Sequence, residues 1–374
     1  MVARIAVLQW GRTGGGPRFA WEIAKALQSA GGLSGVSFAS NGDLAREFSQ
    51  ISAPKWSIST FRSAFGAVAR LPVLFVSIVR MRRFLRATRT GTVLIAMEQL
   101  WSSFATPALR SKRWEVATVI HDAHMHPGDS NAAERALRWW GRLFSDRFVV
   151  LSESVESELR SLGSRKPITR TVHAAFEAPP VMPRSGPSVP AVIGFFGRLS
   201  EYKGLANGYR AVQLLRTSGQ LVEFHVAGNG DLGSVPSMLH PLDSQRLEWI
   251  PDDEVPGVIG SFDILLLPYI EASQSGVIAY AMSLGVPTVV TPVGGLAEQA
   301  QGSGVALVAA GTDPESIAAA LARLLGDAAL YESLSATGIA RAREEYGWAR
   351  VATDLVEAMP ARGSAHDTSE AAVP

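Results

Sequence analysis

The sequence predicts an α/β protein of two domains, each a parallel sheet flanked by helices. Three observations predict it. Short apolar runs alternate with helix-length segments along both halves of the chain, the order that parallel strands with crossover helices require. The length of 374 residues exceeds one ordinary domain. Between the halves, EAPPVMPRSGPSVP at 177–190 carries five prolines, which disfavour both helix and central strand. The expected division is a first domain at 1–176, a linker at 177–190, a second domain at 191–345, a closing helix at 346–360 and a small polar tail at 361–374, expected to be disordered.

In the first half the candidate strands are 5–9, 36–40, 93–97, 117–121 and 148–151. The candidate helices are 17–28, 72–87, 132–143 and 153–162. In the first helix Phe19, Ile23, Ala24 and Leu27 recur at helical spacing and share one face. Pro17 suits the first turn, where no amide partner is lost. In the second half the candidate strands are 192–196, 223–227, 247–250, 264–267, 288–291 and 306–308. Thr312 or Asp313 would cap a helix that has Pro314 in its first turn.

Hydrophobic residues make up 47% and charged residues 18%, enough for a substantial core and too little charge for global disorder. A net charge of +1 gives no global attraction to nucleic acid, and none is expected as a partner. There is no cysteine, which excludes disulfides and thiolate chemistry. The first residues read as a strand entering a turn rather than as a targeting segment. The apolar run at 71–79 is far below the ~20 residues that span a bilayer. A cytoplasmic protein is the expectation.

The turns that end the second-half strands carry the chemistry. Arg198 follows the strand 192–196 through Gly197, and Lys203 stands five positions later. Arginine grips phosphate oxygens in pairs and lysine supplies a point charge. Gly228-Asn229-Gly230-Asp231 forms a turn after 223–227. Glu271 follows the strand 264–267, and Ser275-Gly276-Val277 opens a helix whose first amides suit an anion.

These segments resemble, in order and spacing, the donor half of the retaining glycosyltransferases of family 4. The resemblance covers roughly 4–359 and is strongest over 194–298. It implies the GT-B fold, two Rossmann-like domains facing across a cleft, with the closing helix crossing back to the first domain. Arg198 and Lys203 fall on the arginine and lysine of that family's G-R-L-x-x-x-K-G signature, which contact the donor diphosphate. Gly197, Gly228 and Gly230 fall on its glycine turns. Glu271 matches a glutamate that bonds sugar hydroxyls, and the amides of Ser275, Gly276 and Val277 would face the β-phosphate. There are two departures. Tyr280 stands where a second glutamate binds the ribose, and Glu271 lies one residue further from Gly285 than in the pattern.

In the first half Gly14-Gly15-Gly16 joins a strand to a helix, where the family's glycine loop approaches the donor, so Gly15 and Gly16 are assigned to it. The G-x-G-x-x-G pattern is absent, which argues against a nicotinamide site. His121 ends the strand 117–121 and matches a histidine that faces the donor sugar. His124 and His126 are assigned to the acceptor. With Asp129 they also invite a metal reading, which lacks a second ligand cluster. The resemblance implies catalysis without a metal or other cofactor, with a nucleotide-diphosphate sugar as donor and a glycan or lipid-linked oligosaccharide as acceptor.

On the helix 72–87, Arg80, Arg82, Arg83 and Arg86 fall on one arc and Leu74, Ile78, Met81, Phe84 and Leu85 on the other. The basic arc is either a solvated face or a peripheral contact with the inner membrane surface. Trp139 and Trp140 are read as core, with an acceptor platform as the alternative. The rival readings are a nucleotide-sugar epimerase, which needs no acceptor, and a catalytically silent nucleotide-sugar-binding protein, which Tyr280 would permit.

Overall fold

The computed structural model describes residues 2–61, 66, 69–124, 132–175, 179–230 and 242–360. The chain divides into two compact units. One comprises Met1–Leu151, Val155–Val172 and Trp348–Pro374, the other Ser152–Ser154 and His173–Gly347.

Among its described residues the first unit is built on seven strands: β1 (Ile5–Gln9), β2 (Leu33–Ala39), β3 (Lys55–Ile58), β4 (Thr92–Ile95), β5 (Glu115–Ile120), β6 (Arg147–Val150) and β7 (Ile168–Arg170). They pair in the order β3-β2-β1-β4-β5-β6-β7, every pairing parallel. Every residue of β1, β4 and β5 is buried, because helices cover both faces of a parallel sheet. The helix Gly15–Ser29 buries Phe19, Ile23, Ala24 and Leu27, the face that its spacing predicts. On one side of the sheet Trp10, Trp101 and Trp114 join the core. Two of the indole nitrogens constrain it: Trp10 Nε1 donates to Ser37 Oγ at 2.9 Å and Trp114 Nε1 to the Leu109 carbonyl at 2.8 Å. The last helix, Trp348–Ala358, packs on Gly15–Ser29, with the Trp348 and Phe19 rings 5.5 Å apart.

Among the described residues the second unit has six strands: β8 (Ala191–Phe196), β9 (Val222–Ala227), β10 (Ser244–Arg246), β11 (Ile264–Leu267), β12 (Thr288–Val290) and β13 (Ala306–Val308). Their order is β10-β9-β8-β11-β12-β13, again parallel throughout. Helices Leu205–Thr217 and Pro314–Gly326 pack together on one face and bury Val212, Leu215, Ile317 and Leu321. Asp313 caps the second of these, accepting from the Ser316 amide at 2.8 Å, with Pro314 in the first turn.

Several expectations need correction. The strand expected at 247–250 ends earlier, as Ser244–Arg246, and leaves Trp249 exposed. The short strands Lys55–Ile58 and Ile168–Arg170 carry little apolar signal of their own. They form because a neighbouring strand offers its hydrogen bonds. Trp139 is 63% exposed and Trp140 is also exposed, so neither is core. On the helix Leu71–Ala87, Arg82 leaves the outward arc. Its guanidinium lies 5.7 Å from the centre of the Trp114 ring and donates to the Arg110 carbonyl at 2.9 Å. His126 and Asp129, Asp231 and the tail at 361–374 lie outside the described residues.

Candidate active site

The strand order of the second unit places its topological switch between β8 and β11. Ligands of open parallel sheets bind outside the carboxyl ends of the strands at such a point. The chain leaving β8 runs through Gly197, Arg198 and Leu199, and the chain leaving β9 runs through Gly228, Asn229 and Gly230. The two turns lie backbone on backbone. Gly197 N donates to the Ala227 carbonyl at 3.0 Å and Leu199 N to the Asn229 carbonyl at 2.9 Å. A Cβ on Gly228 would stand 1.8 Å from the Gly197 oxygen, and Gly228 has φ 140°. No side chain fits there. Arg198 is exposed at this edge, with Nη2 3.4 Å from the Tyr202 hydroxyl.

Lys203 ends the short 3-10 turn Glu201–Lys203. This turn is sewn to the loop after β11, where Ile270 N donates to the Tyr202 carbonyl at 2.7 Å. A Cβ on the next residue, Gly204, would meet the Pro268 oxygen at 1.9 Å. Held this way, the Lys203 ammonium lies 3.7 Å from the centre of the fully buried Tyr269 ring. The Tyr269 hydroxyl is 3.1 Å from Ser275 Oγ, and Thr291 Oγ1 donates to the Tyr269 carbonyl at 2.6 Å.

Glu271 is exposed on the loop leaving β11. That loop is shaped from below by the turn after β12. A Cβ on Gly294 would meet the Ala272 oxygen at 2.1 Å, and one on Gly295 the Ser273 oxygen at 1.8 Å. The loop enters the helix Gly276–Ser283 through Ser275, whose side chain caps it by accepting from Val277 N at 3.3 Å. Gln299 holds Ser275 from both sides: Oε1 accepts from the Ser275 amide at 3.2 Å and Nε2 donates to the Ser275 carbonyl at 3.3 Å. Of the three amides named from the sequence, two therefore donate within the protein. The Gly276 amide, in the first turn, has no intrahelical acceptor. Tyr280 lies one turn further along the helix and is half-buried.

The first unit carries its own group at its own switch, between β1 and β4. Gly15 and Gly16 open the helix after β1. A Cβ on Gly15 would meet nothing within 4 Å, whereas one on Gly16 would meet Met97 Sδ at 2.6 Å and Gln9 Nε2 at 2.9 Å. Gly16 is thus fixed by packing, and Gly15 faces open space. His121 follows β5, with Nε2 3.4 Å from the Ala96 carbonyl and its ring edge-on to Phe19 at 4.8 Å. Burial pushes its pKa below the ordinary value, against the opposing pull of Asp122. The loop behind it is clamped by Arg142. That guanidinium takes both Glu98 oxygens at 2.7 Å and donates to the carbonyls of Asp122 and Ala123 at 2.7 and 2.6 Å. His124 pairs with Glu158 at 3.1 Å. Among the described residues no cluster of three or more metal-ligating side chains occurs.

Sequence reasoning did not find Tyr269, Gln299, Thr291 or the Glu98–Arg142 clamp. Nor did it find a role for Glu298, whose carboxylate accepts from the amides of Glu153 and Ser154 at 2.7 and 2.9 Å. The one available signal was an aromatic residue two places before Glu271. The other residues act through neighbours distant in sequence.

A family model described as Glycosyl transferases group 1 matches residues 190–327, and one described as Glycosyltransferase Family 4 matches residues 13–174. A 2-deoxystreptamine glucosyltransferase of Streptomyces kanamyceticus is 31% identical over 143 residues, which is 37% of this chain and 37% of that protein. The match to a second curated relative, from Methanocaldococcus jannaschii, spans 43% of that protein. Thus the chain matches 37% and 43% of the length of these curated relatives. Among solved structures, HepE of Anabaena in complex with UDP-glucose superposes with a TM-score of 0.71 at 15% identity, over 96% of this chain and 99% of that one. Sucrose-phosphate synthase from Thermosynechococcus elongatus gives 0.72 at 15% identity, over 95% and 98%. At this identity the likeness is one of fold.

Proposed function

The chain belongs to the family 4 glycosyltransferases, and from that premise we propose that it moves a sugar from a nucleotide-diphosphate sugar to a hydroxyl acceptor with retention at the anomeric carbon. What supports the reading is that Arg198 and Lys203 follow β8 and the Gly276 amide follows β11, the two strands that flank the switch point of the second sheet. Cleaving the bond between the anomeric carbon and the diphosphate leaves negative charge on the departing phosphate. Fixed cations and an amide at that point stabilise it as it develops. The acceptor oxygen bonds to the anomeric carbon on the face the phosphate leaves, and its proton passes to a departing phosphate oxygen. Glu271 is assigned to the sugar hydroxyls. On the first unit, His121 is assigned to the positive charge at the anomeric carbon and Gly15 to the donor phosphate. Arg198 and Lys203 supply the positive charge, and no metal is assigned.

The acceptor class we propose is a glycan or lipid-linked oligosaccharide. The relative named for 2-deoxystreptamine supports a small polyhydroxylated acceptor as the second reading. A thermal-shift screen of UDP-, GDP-, ADP- and dTDP-sugars identifies the donor, since a bound donor raises apparent stability by mass action. With that donor, Arg198→Ala should lower turnover by roughly a hundredfold or more while leaving thermal stability unchanged. Turnover equal to wild type would overturn the reading. An epimer formed from donor alone would replace the transferase with an epimerase.

A further inference from the structure

The helix Leu71–Ala87 buries Leu74, Ser77, Ile78, Met81 and Leu85 against the first sheet. Its opposite stripe steps through Pro72, Phe75, Val76 and Val79 and continues through Arg80, Arg83 and Arg86, at the three- and four-residue spacing of one helix face. Phe75 is 57% exposed, Val76 52% and Val79 53%. Side chains this apolar normally turn inward on a surface helix. The helix contains no acidic residue. Phe104 on the helix Leu100–Leu109 extends the patch, exposed and 6.3 Å from the Phe75 ring.

One stripe thus has an apolar half followed by a basic half. That composition fits a surface whose outer layer is anionic and whose interior is hydrocarbon. It suits an ordinary protein partner less well, because guanidinium groups without acidic neighbours carry a desolvation cost there. We propose that this stripe docks the protein on an anionic phospholipid surface. Phe75, Val76 and Val79 enter the headgroup–acyl boundary and Arg80, Arg83 and Arg86 lie against lipid phosphates. The proposal is independent of the transferase reading. It also differs from the purely basic face that the sequence suggests, since the apolar turns carry half of it.

The test is flotation of the full chain with vesicles of phosphatidylcholine alone or mixed with phosphatidylglycerol. Binding is expected to the mixed vesicles only and to weaken as salt rises. Phe75→Ser/Val79→Ser and Arg80→Glu/Arg83→Glu should each lower partition at least tenfold. Both replace exposed side chains, so unfolding temperature should hold and serves as the folding control. Three results overturn the proposal. The first is a wild-type chain that floats with neither vesicle. The second is an apolar variant that binds like wild type, leaving only a charged patch. The third is sedimentation showing a dimer that the apolar variant dissolves while vesicles are ignored, which would assign the face to a second copy of the chain.

Discussion

The Lys203 ammonium sits 3.7 Å above the ring of Tyr269, and the hydroxyl of that same ring reaches the cap of the helix Gly276–Ser283 through Ser275. One buried side chain therefore sets the position of a cation and of a helix N-terminus. Both are groups assigned to the donor diphosphate. Tyr269→Phe keeps the ring face and gives up only the hydroxyl contact with Ser275, which Gln299 still holds, so it should bind nucleoside diphosphate nearly as wild type does. Tyr269→Leu removes the face that holds the ammonium and should weaken binding roughly two- to thirty-fold. Calorimetric titration of both variants decides it. Wild-type affinity in Tyr269→Leu would mean that the ring does not position Lys203.

The turn at Gly228 lies against the Gly197 backbone and leaves no room for a methyl group. Gly228→Ala combines a Cβ 1.8 Å from a carbonyl oxygen with φ 140°. It should cost about 1–3 kcal/mol of stability and weaken donor binding. Gly186→Ala, whose Cβ would meet nothing within 4 Å, should stay within about 0.5 kcal/mol. Urea unfolding of the two variants makes the comparison. Equal midpoints would show that the turns relax at no cost.

His121 gives the first unit a pH dependence with a definite sign. Burial lowers its pKa in the folded chain, partly opposed by Asp122 and Glu98 and reinforced by Arg138. The unfolded imidazole, at its ordinary 6.5, therefore takes a proton that the folded one resists. The contribution of the folded neutral ring is fully present above that value and fades as pH falls below it. Melting temperature should drop more steeply for wild type than for His121→Gln on acidification from pH 7. Parallel profiles would show that the ring titrates alike in both states.

Much of the architecture was legible in the chain because it depends on local rules. The apolar runs at 5–9 and 264–267 coincide with strands, since a strand covered on both faces is almost entirely apolar. Pro314 behind Asp313 marked a helix start, because the cap and the missing amide act within one turn. The glycine turns after β8 and β9 could be read as turns, and the cations beside them by type and spacing.

What the sequence left open depends on residues far apart in it. The edge strands Lys55–Ile58 and Ile168–Arg170 exist by pairing with a neighbour, and no local pattern announces that. Trp139 and Arg82 exchanged their expected places, outward and inward, because burial follows what a neighbouring element covers. Only the folded chain brings Lys203 onto Tyr269, and Ser275 between Gln299 and that hydroxyl. Each of these contacts joins separate segments at the carboxyl edge of one sheet. The sequence by itself determined which elements form and which charged groups they carry. The tertiary structure decided which of those groups are held in place, because contact between distant segments is a property of packing and has no local code.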